Sequence, residues 1–150
     1  MLSKINYQIF TMFNLGKLPA SGTFASAATL FFYYLFYRNL SNLLLLIFLI
    51  IITLYSIFFL KKILNNFENE DPKEIVIDEF IGQLIPLLIC NGELVLVIIS
   101  FVLFRFFDIL KIFPANYFDK KIKGAIGIIG DDIIAGLYSL LAIYFIKLYV

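Results

Sequence analysis

At 150 residues the chain has room for one domain, read as a single unit over 1–150. It is 62% hydrophobic and 15% charged, with 18 Phe and 9 Tyr, where a soluble domain averages roughly half apolar and a quarter charged; the excess points to a membrane. The net charge of +1 offers no field for a nucleic-acid partner, and the one cysteine, Cys90, rules out an intramolecular disulfide and zinc-finger spacing. Cys90 lies in an apolar run and reads as a small core residue.

The N-terminal stretch MLSKINYQIFTMF has neither a long apolar core nor a small-residue cleavage site, so no cleavable signal is expected. Residues 24–37 are apolar and end at the polar patch RNLSN, 38–42. Residues 43–60, LLLLIFLIIITLYSIFFL, reach about the minimum length for a membrane-spanning helix and stop at Lys61-Lys62. NNFENEDPKE, 65–74, is the most polar segment and belongs in water or at an interface. A second apolar region, 80–107, is broken by CNGE at 90–93, and a last run covers 133–150. Strand alternation is weak and the runs are long, so the fold class is all-α: a small, multi-helical integral membrane protein.

The polar residues constrain topology. Asp78 and Glu79 precede the second apolar region, and Arg105 and Asp108 follow it. A single crossing would put them in different compartments. Asn91-Gly92 is a turn dipeptide, and the halves on either side are each too short to span comfortably. A helical hairpin returns both ends to one side, and 24–60 can do the same about its break at 38–42. Lys61, Lys62, Lys120, Lys121 and Lys123 then share a face that the positive-inside rule makes cytoplasmic.

Many of the 11 acids have plain explanations. Asp71-Pro72-Lys73-Glu74 reads as a helix start, with Asp71 as cap and Glu74 three residues on. Glu68, Glu70, Glu93 and Asp119 read as solvated. Asp78, Glu79, Asp108, Asp131 and Asp132 each abut an apolar run and are harder to dismiss. On a helix starting at 71, Glu74 and Asp78 share a face. Arg105, Asp108 and Lys111 line one side of RFFDILK, either as an interfacial ion-pair stripe or as part of a site. Helix capping after a glycine turn is the plain alternative for Asp131 and Asp132, but it explains one of them well and the second only through the helix dipole, so it is not the expected whole account.

Carboxylates converging from several segments suit Mg²⁺, which prefers oxygen ligands and supplies the missing positive charge. Arg105, Lys111 and the backbone amides around Ser21-Gly22-Thr23 suit an anion beside it. Together they fit a phosphate ester, and the apolar bulk fits a lipid carrying it. With no histidine, a Ser-His-Asp triad and the histidine-dependent lipid phosphatases are excluded. Leu96 stands where a Cys-x5-Arg phosphatase needs arginine, and no Asp-x-Asp occurs. The Asp-Gly-x-x-Ala-Arg pattern of CDP-alcohol phosphotransferases is missing too. Metal-assisted attack by water remains, with a carboxylate as candidate base. An ion or proton carrier would also use intramembrane carboxylates, and a structural subunit is a further alternative; neither needs the Ser-Gly-Thr segment or the Arg-Asp-Lys face.

Four ordered blocks carry a resemblance: LGKLPASGTFAS at 15–26, DPKEIVIDEFIGQLI at 71–85, FRFFDILKIFPANYFD at 104–119 and GAIGIIGDDIIAG at 124–136. In these the chain resembles the phosphatidylglycerophosphatase A family. Ser21, Ala25, Ile112 and Ala125 depart from the family pattern, while its acids and cations are kept. The resemblance implies a Mg²⁺-dependent enzyme of the bacterial inner membrane that converts phosphatidylglycerophosphate to phosphatidylglycerol. It implies Asp78, Glu79, Asp108, Asp131 and Asp132 as catalytic residues. Glu74, Asp78, Glu79, Asp131 and Asp132 become candidate metal ligands, and Gly22, Thr23, Arg105 and Lys111 candidate phosphate contacts. The site would face the cytoplasm, with a membrane phospholipid as partner. Residue spacing alone does not select that headgroup over phosphatidic acid, and it gives no oligomeric state.

Overall fold

A computed structural model describes residues 2–37, 41–65, 67 and 72–149, so Glu68, Glu70 and Asp71 lie outside the described residues. Seven α-helices run in order, with no strand among the described residues: α1 (Leu2–Phe10), α2 (Ser21–Phe32), α3 (Asn42–Leu64), α4 (Ile77–Leu87), α5 (Leu94–Leu110), α6 (Ala115–Lys121) and α7 (Ala125–Tyr149). The all-α reading holds. A π-helical turn, Tyr33–Tyr37, extends α2. α3 and α7 are long and apolar enough to cross a membrane. One side of α3 leaves Leu43, Leu46, Ile47, Ile50, Leu54 and Phe58 exposed, as a lipid-facing helix would.

The expected α4–α5 hairpin forms, while residues 38–40 of the break expected in 24–60 lie outside the described residues. α4 and α5 turn back on each other at Asn91 (φ 51) and Gly92 (φ 74), both left-handed. The tip is tied down: Gly92 N–H donates to the Tyr33 hydroxyl and the Tyr34 hydroxyl donates to Gly92 C=O, each at 3.0 Å. Lys147, near the end of α7, donates to Ile89 C=O at 2.9 Å. α3 starts at this same end, where Asn42 donates to Asn91 at 3.3 Å. It returns to the opposite end, where Tyr55 donates to Asn6 of α1 at 2.6 Å. Cys90 is fully buried under the tip, as its apolar setting predicts.

α4 is the centre of the molecule. It packs against α2, α3, α5 and α7. Its residues Phe80 to Leu87 are all buried, and only Asp78 and Glu79 open outward. Buried Gln83 donates its Nε2 to Ser100 of α5 at 3.2 Å, while its Oε1 has no hydrogen-bond partner among the described residues. The contact with α7 is backbone on backbone. A Cβ on Gly82 would stand 2.7 Å from Asp132 C=O and 2.6 Å from the Phe104 ring, and one on Gly136 would strike Gly82 C=O. The glycines of α7 serve in turn: Gly127 lies on Ile122 C=O, Gly130 on the Phe118 ring of α6, and Gly136 on α4.

One sequence expectation is corrected, and one plain alternative is ruled out. The helix expected from 71 starts at Ile77, after a turn at 73–74. Ile75 and Val76 are instead buried under α1, where Val76 N–H donates to Phe10 C=O at 2.9 Å, and their β-branched side chains suit that extended path. Glu74 and Asp78 therefore do not share a helical face. α7 begins at Ala125, just after Gly124 (φ 75), so Asp131 and Asp132 lie well inside the helix and cap nothing.

Gly82→Ala should therefore lower the melting temperature in detergent by ~2–10 °C, because overpacking of this kind costs ~1–3 kcal/mol. Leu137→Ala, on the 47% exposed side of α7, should shift it by less than ~2 °C. Equal shifts in thermal unfolding of the two variants would show that the glycine contact is not tight.

Candidate functional site

The end of the bundle away from the hairpin tip carries a cleft of about 290 Å³. Asp78 and Glu79 enter it from the first turn of α4, Asp108 from the last turn of α5, and Asp131 and Asp132 from α7. Lys73, Lys111, Lys120 and Lys123 line it as well, with Asp119 and Ser21. The starts of α2, α4 and α7 all open toward it, and their positive dipole ends partly offset the acids.

The acids divide by what they touch. Oxygens of Asp78, Glu79 and Asp132 all lie within 4.8 Å of one another. Glu79 Oε2 is buried and has no hydrogen-bond partner among the described residues. An orphaned buried carboxylate oxygen is costly, and a hard cation held by an all-oxygen set would satisfy it. Asp108 and Asp131 already have cations. Arg105 meets Asp108 at 2.5 Å, and Lys111 meets both Asp131 and Asp119 at 2.5 Å. Burial by itself would lower the Lys111 pKa; the bonds to Asp119 and Asp131 outweigh it and raise it, so the ammonium stays charged. Arg105 Nε is buried without a hydrogen bond, a donor in need of an acceptor.

The expected residues are not all brought together. Glu74 stands apart from the Asp78–Glu79–Asp132 group: it accepts from the Tyr7 hydroxyl at 2.5 Å, a bond that raises the Tyr7 pKa. Asp131 is beside that group but engaged with Lys111. Ser21-Gly22-Thr23 is the first turn of α2, where a glycine loop was expected. Gly22 is buried there because a Cβ would run into Glu79 Oε1 and come within 3.0 Å of Arg105. Thr23 is exposed and does not line the cleft. Lys111 leaves the Arg105–Asp108 stripe by taking a left-handed conformation (φ 45) at the end of α5, which turns it to α6 and α7.

Asp119, read as solvated, is a partner of Lys111. Lys73 and Lys120 were missed as cleft residues. Their signal was present in part: Lys73 is five residues before Asp78, and Lys120 follows Asp119 in a block that already held Arg105 and Lys111.

The sequence profile of the phosphatidylglycerophosphatase A family matches residues 8–147. A phosphatidylglycerophosphatase A of Haemophilus influenzae is 34% identical over 130 residues, covering 86% of this chain and 80% of that protein. The Escherichia coli protein of the same name is 42% identical over 77 residues, 51% of this chain and 45% of its own length. A Bacteroides thetaiotaomicron protein provisionally named a phosphatidylinositol-3-phosphatase is 40% identical over 77 residues, 49% of this chain and 48% of its own length. No solved structure matches significantly.

Gly22→Ala tests the packing of the site. Alanine suits a helix better than glycine, so the fold should keep its melting temperature. Displacing Glu79 or Arg105 should still cut hydrolysis of a lipid phosphomonoester at least about tenfold, the loss expected for one misplaced group. Unchanged turnover would mean that neither side chain is held by that contact.

Proposed function

The chain belongs to the phosphatidylglycerophosphatase A family, and on that premise we propose that it is a Mg²⁺-dependent lipid phosphatase that hydrolyses the terminal phosphomonoester of phosphatidylglycerophosphate. One observation carries the reading: Asp78, Glu79 and Asp132 converge in one cleft that Lys111 lines, with Arg105 just behind it, paired to the cleft residue Asp108. Those three carboxylates are the candidate ligands, and the Glu79 oxygen without a partner is what fits them to a cation. When bound, the metal supplies charge neutralisation on the transferring phosphoryl group.

The chain's own groups do the rest. Arg105 Nε donates to a phosphate oxygen, and Asp108 holds the guanidinium at the angle that permits it. Lys111, kept charged by Asp119 and Asp131, adds a second donor as negative charge grows. A cleft carboxylate accepts a proton from water as its oxygen bonds to phosphorus. The P–O bond to glycerol breaks, and the departing oxygen takes that proton back from the carboxylic acid so formed. The products are a lipid alcohol and inorganic phosphate.

Chelation is the first test. EDTA should abolish phosphate release by the purified protein and Mg²⁺ should restore it. Asp132→Asn should lower turnover at least roughly a hundredfold, about 3 kcal/mol of transition-state stabilisation, and weaken Mn²⁺ binding in a titration without substrate. Full activity in chelator would remove the metal from the reading.

Sidedness is the second. In the bacterial inner membrane the cleft would face the cytoplasm, where Lys61, Lys62, Lys120, Lys121 and Lys123 would also lie. With Cys90→Ser as background, Glu70→Cys and Lys121→Cys should resist a membrane-impermeant thiol reagent in intact cells and react once the membrane is opened. Labelling of either from outside would overturn this orientation.

A further inference from the structure

The cleft is graded from a buried acidic floor to a basic mouth. Asp131 and Asp132 are 6% and 3% exposed, whereas Lys73 and Lys120 are exposed and line the same space. The cations nearer the floor are engaged, Arg105 with Asp108 and Lys111 with Asp119 and Asp131. Lys73 and Lys120 form no ion pair among the described residues, although six carboxylates line the same cleft. A volume of about 290 Å³ holds about ten waters, more than one phosphate requires. The space does not end there: Ser21 and Lys73 also line a second cleft, which Lys17 borders.

We infer that Lys73 and Lys120 are specificity residues that bind a second anionic group of the substrate, the phosphodiester that lies one glycerol away from the reacting phosphate. The inference rests on the phosphatase reading. A lipid whose reacting phosphate sits on the buried acids leads its next group outward to the mouth. In phosphatidylglycerophosphate that group is an anionic phosphodiester. In phosphatidic acid it is a neutral diacylglycerol, which leaves both lysines without a counter-charge. The lipids in the relatives' names both carry a phosphodiester besides the phosphomonoester, the second anionic group that mouth lysines would meet. Two exposed lysines are individually weak, but each gives a charge-assisted hydrogen bond once a phosphate desolvates it.

The test uses the purified full chain in neutral-detergent micelles, which removes anionic bilayer as a competing partner. Lys73→Gln/Lys120→Gln is assayed on phosphatidylglycerophosphate and on phosphatidic acid. KM for the first should rise about a hundredfold, roughly tenfold for each of the two charge-assisted bonds, with kcat within about threefold and phosphatidic acid kinetics unchanged. A parallel loss on both lipids would make the lysines part of the general phosphate site and overturn the inference. So would unchanged kinetics, the result if these lysines serve only to attract an anionic bilayer. A second arm needs no turnover: equilibrium binding of each lipid to the Asp132→Asn protein. There the preference for phosphatidylglycerophosphate should be present and should vanish when both lysines are changed. Equal affinity for the two lipids overturns the inference. Failure of the wild-type protein to release phosphate from either lipid would instead sink the phosphatase reading, while the binding arm still decides the role of the lysines.

Discussion

Everything in the site depends on how closely α4 and α7 approach. Asp78 is one helical turn before Gly82, and Asp132 is one turn before Gly136. Gly136 rests on Gly82 C=O, and Gly82 rests on Asp132 C=O. The two helices thus run the same way with backbones in contact, and the turn preceding each glycine carries an acid into the same space. A larger residue at either glycine would widen the crossing and spread the carboxylates. The close approach is packed around by Ile81, Leu84 and Ile129, all fully buried.

That approach concentrates negative charge, and the surrounding elements answer it. Carboxylates in reduced dielectric repel strongly. α5 returns from the hairpin tip to bring Arg105 next to Asp108, and its left-handed last residue swings Lys111 between Asp119 and Asp131. Gly22 completes the enclosure: lacking a side chain, it lets α2 close over Glu79 and Arg105. Asp108, Asp119 and Asp131 thus have cations from the chain itself, while the Asp78–Glu79–Asp132 group is left as a compact oxygen set. A cation-binding set and an anion-binding pair are thereby held side by side.

Much of this was legible in the sequence. The apolar runs and the Asn91-Gly92 dipeptide disclose the α4–α5 hairpin, because a turn between two segments too short to span leaves no other path. Acids beside apolar runs disclose Asp78, Glu79, Asp108, Asp131 and Asp132, because solvation alone does not explain them there. What failed was local inference where tertiary packing decides. Pro72 and Glu74 look like a helix start, but Ile75 and Val76 are drawn under α1 and delay the helix to Ile77. A cap is only the plain alternative for Asp131-Asp132, because glycines precede them; Gly127 and Gly130 instead seat α6, inside a helix already begun. Asp119 looks solvated because its partner, Lys111, is eight residues away across a turn. Pairings across elements leave no periodic trace.

The length of α4 fixes where the chemistry sits. Its 11 residues rise ~16 Å, about half of the ~30 Å hydrocarbon thickness of a bilayer. The hairpin tip, where α4 ends, is tied to α2, α3 and α7, so the acids of its first turn lie a helix length, about 16 Å, from that end. A spanning helix at the centre would have carried Asp78 and Glu79 into bulk water, where a cation competes with full hydration and each charge is worth little. A shorter one would have sealed them from the aqueous side. At the observed length the acids are buried on three sides by α2, α5 and α7, and the fourth side is the cleft that opens among Lys73, Lys120 and Lys123. Water and a phosphate group can reach them by that route.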